Sequence, residues 1–102
     1  MWAQLMKIRV KPDKEPDLAG VFKQLQALEQ PGSGLLRTMT MRDQSDPSQV
    51  YVLVVFESEE KARAREQDPR RQEGLKPVQA LAEILDGPRE FVDLTVVQDV
   101  SA

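Results

Sequence analysis

Residues 50–56 read Val-Tyr-Val-Leu-Val-Val-Phe, and residues 57–60, Glu-Ser-Glu-Glu, follow directly. An unbroken apolar and aromatic run, rich in β-branched side chains, predicts a strand with apolar groups on both faces. A Ser before two Glu is typical of a helix N-terminus, because the hydroxyl accepts a backbone N–H and the acids lie at the positive end of the helix dipole. This stretch therefore predicts a strand that leads into a helix at Ser58.

The residues before this run predict two more strands. Residues 35–41 are rich in Thr and Met, and the polar residues 42–48 are too few to hold a helix, so residues 35–56 predict a hairpin. Residues 2–10 alternate in the manner of a strand, which ends at Pro12 because proline cannot donate to a sheet ladder. One face of this first strand carries Trp2, Gln4, Met6, Ile8 and Val10, and the other carries Ala3, Leu5, Lys7 and Arg9.

Helical spacing of apolar side chains marks two further regions. Residues 17–30 predict a helix that Asp13 or Asp17 caps and that Pro31-Gly32 stops. The polar helix after Ser58 breaks or bends at Asp68-Pro69, and a second helical stretch covers residues 75–85. A last strand is predicted over residues 91–100, with Val92, Leu94, Val96 and Val100 on one face and Asp93, Thr95 and Asp99 on the other.

The elements follow the order β-α-β-β-α-β within a single predicted domain, residues 1–102. This order predicts a ferredoxin-like α+β fold, with a four-stranded antiparallel sheet and both helical regions on one of its faces. Right-handed crossovers place the first and third strands in the middle of the sheet. The heavy apolar content of residues 50–56 agrees with a central position.

Helices on one face leave the other face of the sheet uncovered. Strand parity places Leu5, Tyr51, Leu53 and Val55 on that face. Because an exposed apolar patch of this kind usually marks an interface, we expect a homodimer that buries these four side chains near its two-fold axis. The alternative is a monomer with a partly apolar sheet surface.

Composition excludes several kinds of chemistry. The chain has 102 residues, with 14 Lys and Arg, 17 Asp and Glu, and neither histidine nor cysteine. A Ser-His-Asp triad, a thiolate nucleophile, an imidazole-ligated haem and the usual zinc sites are therefore ruled out. No set of carboxylates has metal-ligand spacing, so no metal site is predicted.

Charge and hydropathy limit the kinds of partner that the protein is expected to bind. A formal charge of −3 argues against nucleic acid, which needs a basic protein face. No apolar run approaches the roughly 20 residues that span a bilayer. Lys7, Arg9 and Lys11 interrupt the apolar region that a secretory signal needs. We therefore expect a cytoplasmic protein without a membrane partner.

Residues 46–60, Asp-Pro-Ser-Gln-Val-Tyr-Val-Leu-Val-Val-Phe-Glu-Ser-Glu-Glu, together with residues 9–15, Arg-Val-Lys-Pro-Asp-Lys-Glu, resemble a known family. The first stretch resembles the hairpin, and the strand ending in Trp-Glu-Ser-Glu-Glu, of the antibiotic biosynthesis monooxygenase (ABM) domains, which are dimeric α+β barrel proteins. The second resembles the entry to their first helix. Pro31-Gly32 precedes the second strand as in the family, and residues 68–72 resemble the short helical segment after the hairpin.

The resemblance implies a dimer with a small-molecule pocket between the helices and the sheet of each protomer. Members of the family include cofactor-independent oxygenases of aromatic polyketides, quinol oxygenases and haem-degrading enzymes, along with proteins of no known activity. The haem-degrading branch uses an Asn on the first strand, a His in the second helical region and a Trp that closes the third strand. The matching positions here are Met6, the neighbourhood of Arg70 and Arg71, and Phe56, so haem degradation is not expected.

Five side chains are the candidates for the pocket: Trp2, Gln4, Met6, Phe22 and Phe56. An apolar cavity lined by aromatic rings, with one or two polar groups, suits a flat aromatic ligand. The alternative is that these residues fill the core. Tyr51 could donate a hydrogen bond to a ligand, but its parity assigns it to the dimer face.

Charged residues near the sheet do not identify a catalytic group. Lys7, Arg9 and Arg37 are possible anion anchors, although such residues more often pair with acids, and Asp93 is one available partner. The run from Lys61 to Arg65 is interpreted as a surface face. Asp93, Glu57 and Glu90 are available carboxylates, and nothing in the sequence assigns one of them as the base.

Three functions stay open at this point. The resemblance favours a monooxygenase of aromatic or quinol-type molecules that needs no cofactor and acts as a homodimer. A module that binds a small hydrophobic ligand without turnover is the second, and a structural dimer whose pocket is closed by side chains is the third. Fold alone does not separate them, because function rests on the site.

Overall fold

The chain folds in the predicted β-α-β-β-α-β order. A computed structural model describes residues 1–27, 29, 32–67 and 75–101, without the side chains of residues 75–78. The strands are β1 (Trp2–Arg9), β2 (Leu35–Arg42), β3 (Gln49–Phe56) and β4 (Glu90–Thr95). A 3-10 helix (Pro12–Asp17) precedes α1 (Leu18–Ala27), and α2 (Glu59–Glu66) and α3 (Leu75–Ile84) lie between β3 and β4.

The four strands form one antiparallel sheet in the order β2-β3-β1-β4. This confirms that the first and third strands are central. In the β1–β3 register, Trp2 lies opposite Phe56 and Leu5 lies opposite Leu53. Cross-strand partners share a face, so this register assigns every side chain of both strands either to the helix side or to the uncovered side.

The Ser58 cap is also confirmed, since its hydroxyl oxygen accepts the Lys61 backbone N–H at 3.2 Å. The predicted cap of the first helix is wrong. Asp13 and Asp17 lie inside the 3-10 helix, which begins after Lys11 without a side-chain cap. Pro12 and Pro16 account for the difference, because proline lacks the N–H of a regular α-helical ladder and restricts the residue before it. The predicted break at Asp68-Pro69 lies outside the described residues.

The last strand is shorter than predicted. It ends at Thr95 instead of Val100 because Thr95 lies opposite Trp2, the first residue of β1, so no strand residue lies opposite the positions that follow. Beyond the strand, the Val96 N–H donates to the Met1 carbonyl at 3.3 Å. Among the described residues, this is the last backbone hydrogen bond between the two segments. Val97 is 94% exposed, as expected for a residue beyond the sheet.

Two apolar clusters cover the helix side of the sheet. The larger joins β1 and β3 to α1 and the α3 region, and consists of Ile8, Val10, Leu18, Val21, Val50, Val52, Leu81, Ile84 and Leu85. The smaller lies at the opposite end of the same two strands and consists of Trp2, Phe56 and Ala62. The helices therefore hold the sheet at its two ends.

The other face of the sheet has no helix on it among the described residues. Leu5, Tyr51, Leu53 and Val55 all lie on this face and are partly exposed, which confirms their predicted orientation. One complete row across the four strands is apolar and consists of Met39, Leu53, Leu5 and Val92. We call this surface the open face.

Two glycines give a matched test of the packing between β2 and α2. Gly34 has φ +87°, and a Cβ there would lie 2.8 Å from the Cβ of Lys61, whereas a Cβ on Gly20 in α1 would meet nothing within 4 Å. We expect Gly34→Ala to lower the free energy of unfolding by about 2 kcal/mol through strain and overlap. Gly20→Ala should raise it by about 0.5–1 kcal/mol because alanine favours the helix.

Urea unfolding followed by circular dichroism measures both changes. Equal effects of the two substitutions would contradict the close approach of α2 to Gly34.

Candidate functional site

A partly exposed section of the sheet lies between the two clusters on the helix side. Along β1, Trp2 is 7% and Ile8 1% exposed, while Gln4 and Met6 between them are only partly buried. Val54 on β3 lies opposite Gln4 and is also partly buried. We call Gln4, Met6 and Val54 the strip. Met6 packs against the larger cluster and Val54 against both clusters, and part of each side chain stays accessible.

The strip continues across the sheet towards the β4 edge. Phe91 lies opposite Met6, and Asp93 lies opposite Gln4, so both side chains share the helix side. Phe91 is 51% exposed, and the Arg89 guanidinium lies 5.6 Å from its ring centroid. An aromatic ring and a carboxylate therefore line the outer side of the strip.

One end of the strip is aromatic. The rings of Trp2 and Phe56 lie 6.1 Å apart at an interplanar angle of 44°. The Arg63 guanidinium lies 5.1 Å from the Trp2 ring, and the Arg65 guanidinium lies 5.3 Å from the Phe56 ring. Because the Ser58 cap sets where α2 begins, Ala62 packs on the sheet and the two arginines lie on either side of it. Each guanidinium over a ring adds a favourable cation–π contact.

A polar network connects this end to β4. Gln4 Nε2 donates to Asp93 Oδ1 at 3.0 Å, and Arg63 Nη2 donates to Asp93 Oδ2 at 3.0 Å. Arg63 also donates to Glu59 at 3.2 Å and to Glu66 at 3.4 Å. The hydrogen bond from Gln4, followed by that from Arg63, lowers the pKa of Asp93. Asp93 is therefore an ionised hydrogen-bond acceptor at neutral pH.

The predicted pocket residues divide between the clusters and the strip. Trp2 and Phe56 belong to the smaller cluster, and Phe22 is a partly buried side chain that packs against the larger one. Met6 lies on the strip and, like Phe22, packs against the larger cluster, while Gln4 lies on the strip between the two clusters. Three positions depart from the haem-degrading pattern. Met6 and Phe56 lie near the candidate site, whereas residues 70–71 lie outside the described residues.

Asp93, considered as one available partner for the possible anion anchors, pairs with Gln4 and Arg63 instead. Asp93 faces the helix side, whereas Lys7 and Arg37 lie on the open face beside Tyr51 and Val55. Arg9 instead donates to Asp46 at 2.9 Å and to Ser48 Oγ at 2.6 Å. The separation follows from strand parity, because residues on opposite faces of a sheet cannot pair through it.

The interpretation of residues 61–65 as a surface face does not identify Arg63 as a residue of the site. Its guanidinium is part of the site through Trp2 and Asp93. The spacing from the Ser58 cap could have predicted part of this arrangement, since it sets the helix phase that points Ala62 at the sheet. The direction of Arg63 towards β4 depends on how α2 crosses the sheet, which spacing alone does not provide.

The other candidate polar groups lie away from the strip. Glu90 is on the open face opposite Lys7, and Glu57 forms an ion pair with Lys61. The Tyr51 hydroxyl donates to Asp43 Oδ2 at 3.3 Å, on the open face where parity predicted this side chain. Of the three carboxylates considered, Asp93 alone therefore faces the strip.

A separate groove of about 440 Å³ runs between the first helical segment and α3. Its walls include Lys14, Asp17 and Glu83, and Val21 and Ile84 are its buried members. None of the predicted pocket residues lines it. The described part of the chain has no cluster of three or more acidic residues arranged for a metal ion, and no helix within it has the length and apolarity to cross a bilayer.

Comparison with known proteins identifies the fold and the family. A family model for antibiotic biosynthesis monooxygenase matches residues 1–77. No curated protein matches the chain. Among solved structures, one similar protein is a variant of SnoaB, a cofactor-independent oxygenase from Streptomyces nogalater. Its TM-score is 0.78 at 17% sequence identity, and the match covers 99% of this chain and 97% of the SnoaB chain.

Two other solved structures have similar scores. A MhuD variant with two manganese protoporphyrin IX molecules bound per active site has a TM-score of 0.74 at 18% identity, and the match covers 100% of both chains. A conserved protein from Methanosarcina mazei Go1 has a TM-score of 0.74 at 19% identity, covering 91% of this chain and 89% of its own. At these identities the three structures share the fold, and they confirm the ferredoxin-like α+β prediction.

The polar network predicts how Asp93 titrates. Gln4→Leu and Arg63→Ala should each raise the pKa of Asp93 towards its ordinary value, because Gln4 and Arg63 each donate a hydrogen bond that lowers it and Arg63 also contributes its charge. Since the folded-state pKa is the lower one, the stabilisation by Asp93 is complete above the unfolded-state pKa and disappears as the pH falls through the folded-state value.

Carboxyl-carbon NMR titration measures these shifts. Asp46, whose pKa is lowered by Ser48 and then by Arg9, serves as the control and should not change in either variant. An unchanged Asp93 pKa in Gln4→Leu would contradict the network.

Proposed function

The chain belongs to the antibiotic biosynthesis monooxygenase family, and on that premise we propose that it oxygenates an aromatic or quinol-type molecule without a cofactor, as a cytoplasmic homodimer built from one domain per chain. The observation that carries this proposal is the strip. It offers an apolar floor at Met6 and Val54, an aromatic end at Trp2 and Phe56, and a polar side chain at Gln4. Such a surface suits a flat aromatic ligand.

The reaction requires a substrate that supplies its own electrons. Loss of a proton makes a phenol- or anthrone-type substrate an electron-rich anion, which transfers an electron to O₂. The two radicals then join in a carbon–oxygen bond. Loss of water from the resulting peroxide leaves a carbonyl on the substrate, so one oxygen atom enters the product and the other leaves as water. The protein's part is to hold the substrate and to remove this proton.

The residues of the strip suit an acidic substrate best. Asp93 is the carboxylate nearest to Gln4, and its lowered pKa makes it a weak base. A weak base removes a proton efficiently only when the resulting anion is delocalised, because proton transfer is most effective between groups of similar pKa. Extended phenols and anthrones meet that condition, and their rings match the apolar floor.

A second function is favoured by the pairing of Asp93. Both of its carboxylate oxygens already accept hydrogen bonds, from Gln4 and from Arg63. A carboxylate held in this way serves recognition as readily as proton transfer. The same strip could therefore bind a small aromatic ligand without turnover, and oxygen consumption separates the two functions.

Oxygen uptake with a panel of hydroquinones and anthrone-type phenols tests the proposed activity. We expect uptake with at least one compound, and Met6→Trp should reduce the rate at least about tenfold because the larger ring occupies the floor of the strip. Gln44→Trp, in the exposed hairpin loop, adds the same ring elsewhere and should leave the rate unchanged.

The outcomes distinguish the candidates. A compound that raises the melting temperature without driving uptake supports the binding function. If no compound causes oxygen uptake and none raises the melting temperature, both the oxygenase function and the binding function are overturned. The melting temperature of Met6→Trp, measured without ligand, shows whether a lost rate reflects lost folding.

The homodimer is supported by the open face. Its apolar row crosses all four strands, and its neighbouring row contains Val55, Ala3 and Leu94. Met39 is 39%, Val92 36% and Leu94 38% exposed in the single chain. A patch of this extent on a soluble protein usually lies in an interface, and a two-fold axis brings the same patch of both copies together.

Size-exclusion chromatography with light scattering tests the dimer. We expect a dimer at micromolar concentration, and Leu53→Lys should convert it to a monomer because the charge lies in the centre of the apolar row. Ala19→Lys, exposed on α1, should remain dimeric. A monomeric wild-type chain would refute the proposed assembly.

A further inference from the structure

We propose that the Arg63–Asp93 ion pair fixes the direction of the Gln4 side-chain amide, so that the strip selects aromatic ligands with a hydrogen-bond donor, such as a phenolic hydroxyl, over ligands that carry only carbonyls. This inference rests on the proposed function, because it assumes that an aromatic ligand occupies the strip. It adds to that function a determinant of specificity and two positioning residues.

The first step is the chemistry of Asp93. An ionised carboxylate accepts hydrogen bonds and donates none. The atom of Gln4 that lies 3.0 Å from Asp93 Oδ1 must therefore be the amide nitrogen. The lowered pKa of Asp93 supports the ionised form. The direction of the Gln4 amide thus follows from its partner.

The second step concerns the other end of the same amide. Both amide hydrogens are on the nitrogen, which faces the β4 edge, so the carbonyl oxygen is the part turned away from Asp93. Among the described residues, no side chain or backbone group donates to Gln4 Oε1. Because Gln4 is partly exposed on the strip, this oxygen is available to accept a hydrogen bond from a ligand.

The third step explains why Arg63 is needed. Asp93 lies on an edge strand with 49% of its side chain exposed, and Arg63 holds its second oxygen. Arg63 is itself held over the Trp2 ring and by Glu59 and Glu66. Arg63 and Asp93 therefore act through Gln4 as positioning residues, and Gln4 is the residue that contacts the ligand.

This arrangement distinguishes substrate from product in the proposed reaction. A hydroquinone or phenol donates its hydroxyl to Gln4 Oε1. After oxidation the corresponding oxygen is a carbonyl, which has no hydrogen to donate and places two acceptors against each other. The site therefore releases the oxidised molecule more readily than it releases the reduced one.

Isothermal titration calorimetry under anaerobic conditions tests the inference, with 1,4-naphthohydroquinone and 1,4-naphthoquinone as the probes. The two molecules differ in their hydroxyl hydrogens and have nearly the same shape. We expect the wild-type protein to bind the hydroquinone about tenfold more tightly, the effect of roughly one hydrogen bond.

Two variants and a control locate the cause. Asp93→Asn should bring the ratio of the two dissociation constants close to one, because the new amide can donate as well as accept and Gln4 is then free to turn. Gln4→Met keeps the side-chain length but removes the oxygen, so it should abolish the preference even if Asp93→Asn folds poorly. Asp99→Asn, exposed beyond β4, should keep the wild-type ratio.

Each outcome has a distinct meaning. Equal affinity of the wild-type protein for both probes overturns this inference and leaves the proposed ligand site standing. A preference that survives in Asp93→Asn or in Gln4→Met overturns the role of the network. If the wild-type protein binds neither probe nor any compound of the oxygen-uptake panel, the proposed function fails, and the inference fails with it.

Discussion

The antiparallel pairing of β1 with β3 is the constraint on which the rest of the structure depends. Its register sets Trp2 against Phe56 at one end and Ile8 against Val50 at the other, and each pair becomes part of a separate apolar cluster. The same register places Leu5 against Leu53 on the open face. A shift by one residue would exchange the two faces, so the core, the strip and the open face all follow from this pairing.

The strip exists because the helices cover the sheet unevenly. α1 and the α3 region pack over the ends of β1 and β3 that carry Ile8 and Val50, while α2 contributes Ala62 at the Trp2–Phe56 end. The residues between these contacts remain partly exposed although their neighbours two positions away are buried. This partial exposure beside two buried aromatic rings results from the spacing of the helices.

Local patterns in the sequence were sufficient for the elements and for the faces of the central strands. Alternation in residues 2–10 and the apolar run of residues 50–56 predicted the inner strands and the orientation of Leu5, Tyr51, Leu53 and Val55 correctly. The errors occurred where an element depended on its neighbours. The last strand stops at Thr95 because β1 begins opposite it, and two prolines convert the expected start of the first helix into a 3-10 helix.

The sequence by itself determined the fold class, the two-sided central strand and the absence of histidine and cysteine chemistry, because composition and periodicity are properties of the chain alone. Tertiary structure decided which polar groups meet. Asp93 pairs with Gln4 and Arg63 rather than with Arg9 or Arg37, and Trp2 receives the guanidinium of a helix some 60 residues away in sequence. Contacts of this kind depend on how α2 crosses the sheet, and that geometry is set by the packing of Ala62 on Trp2 and Phe56, which no local pattern of residues specifies.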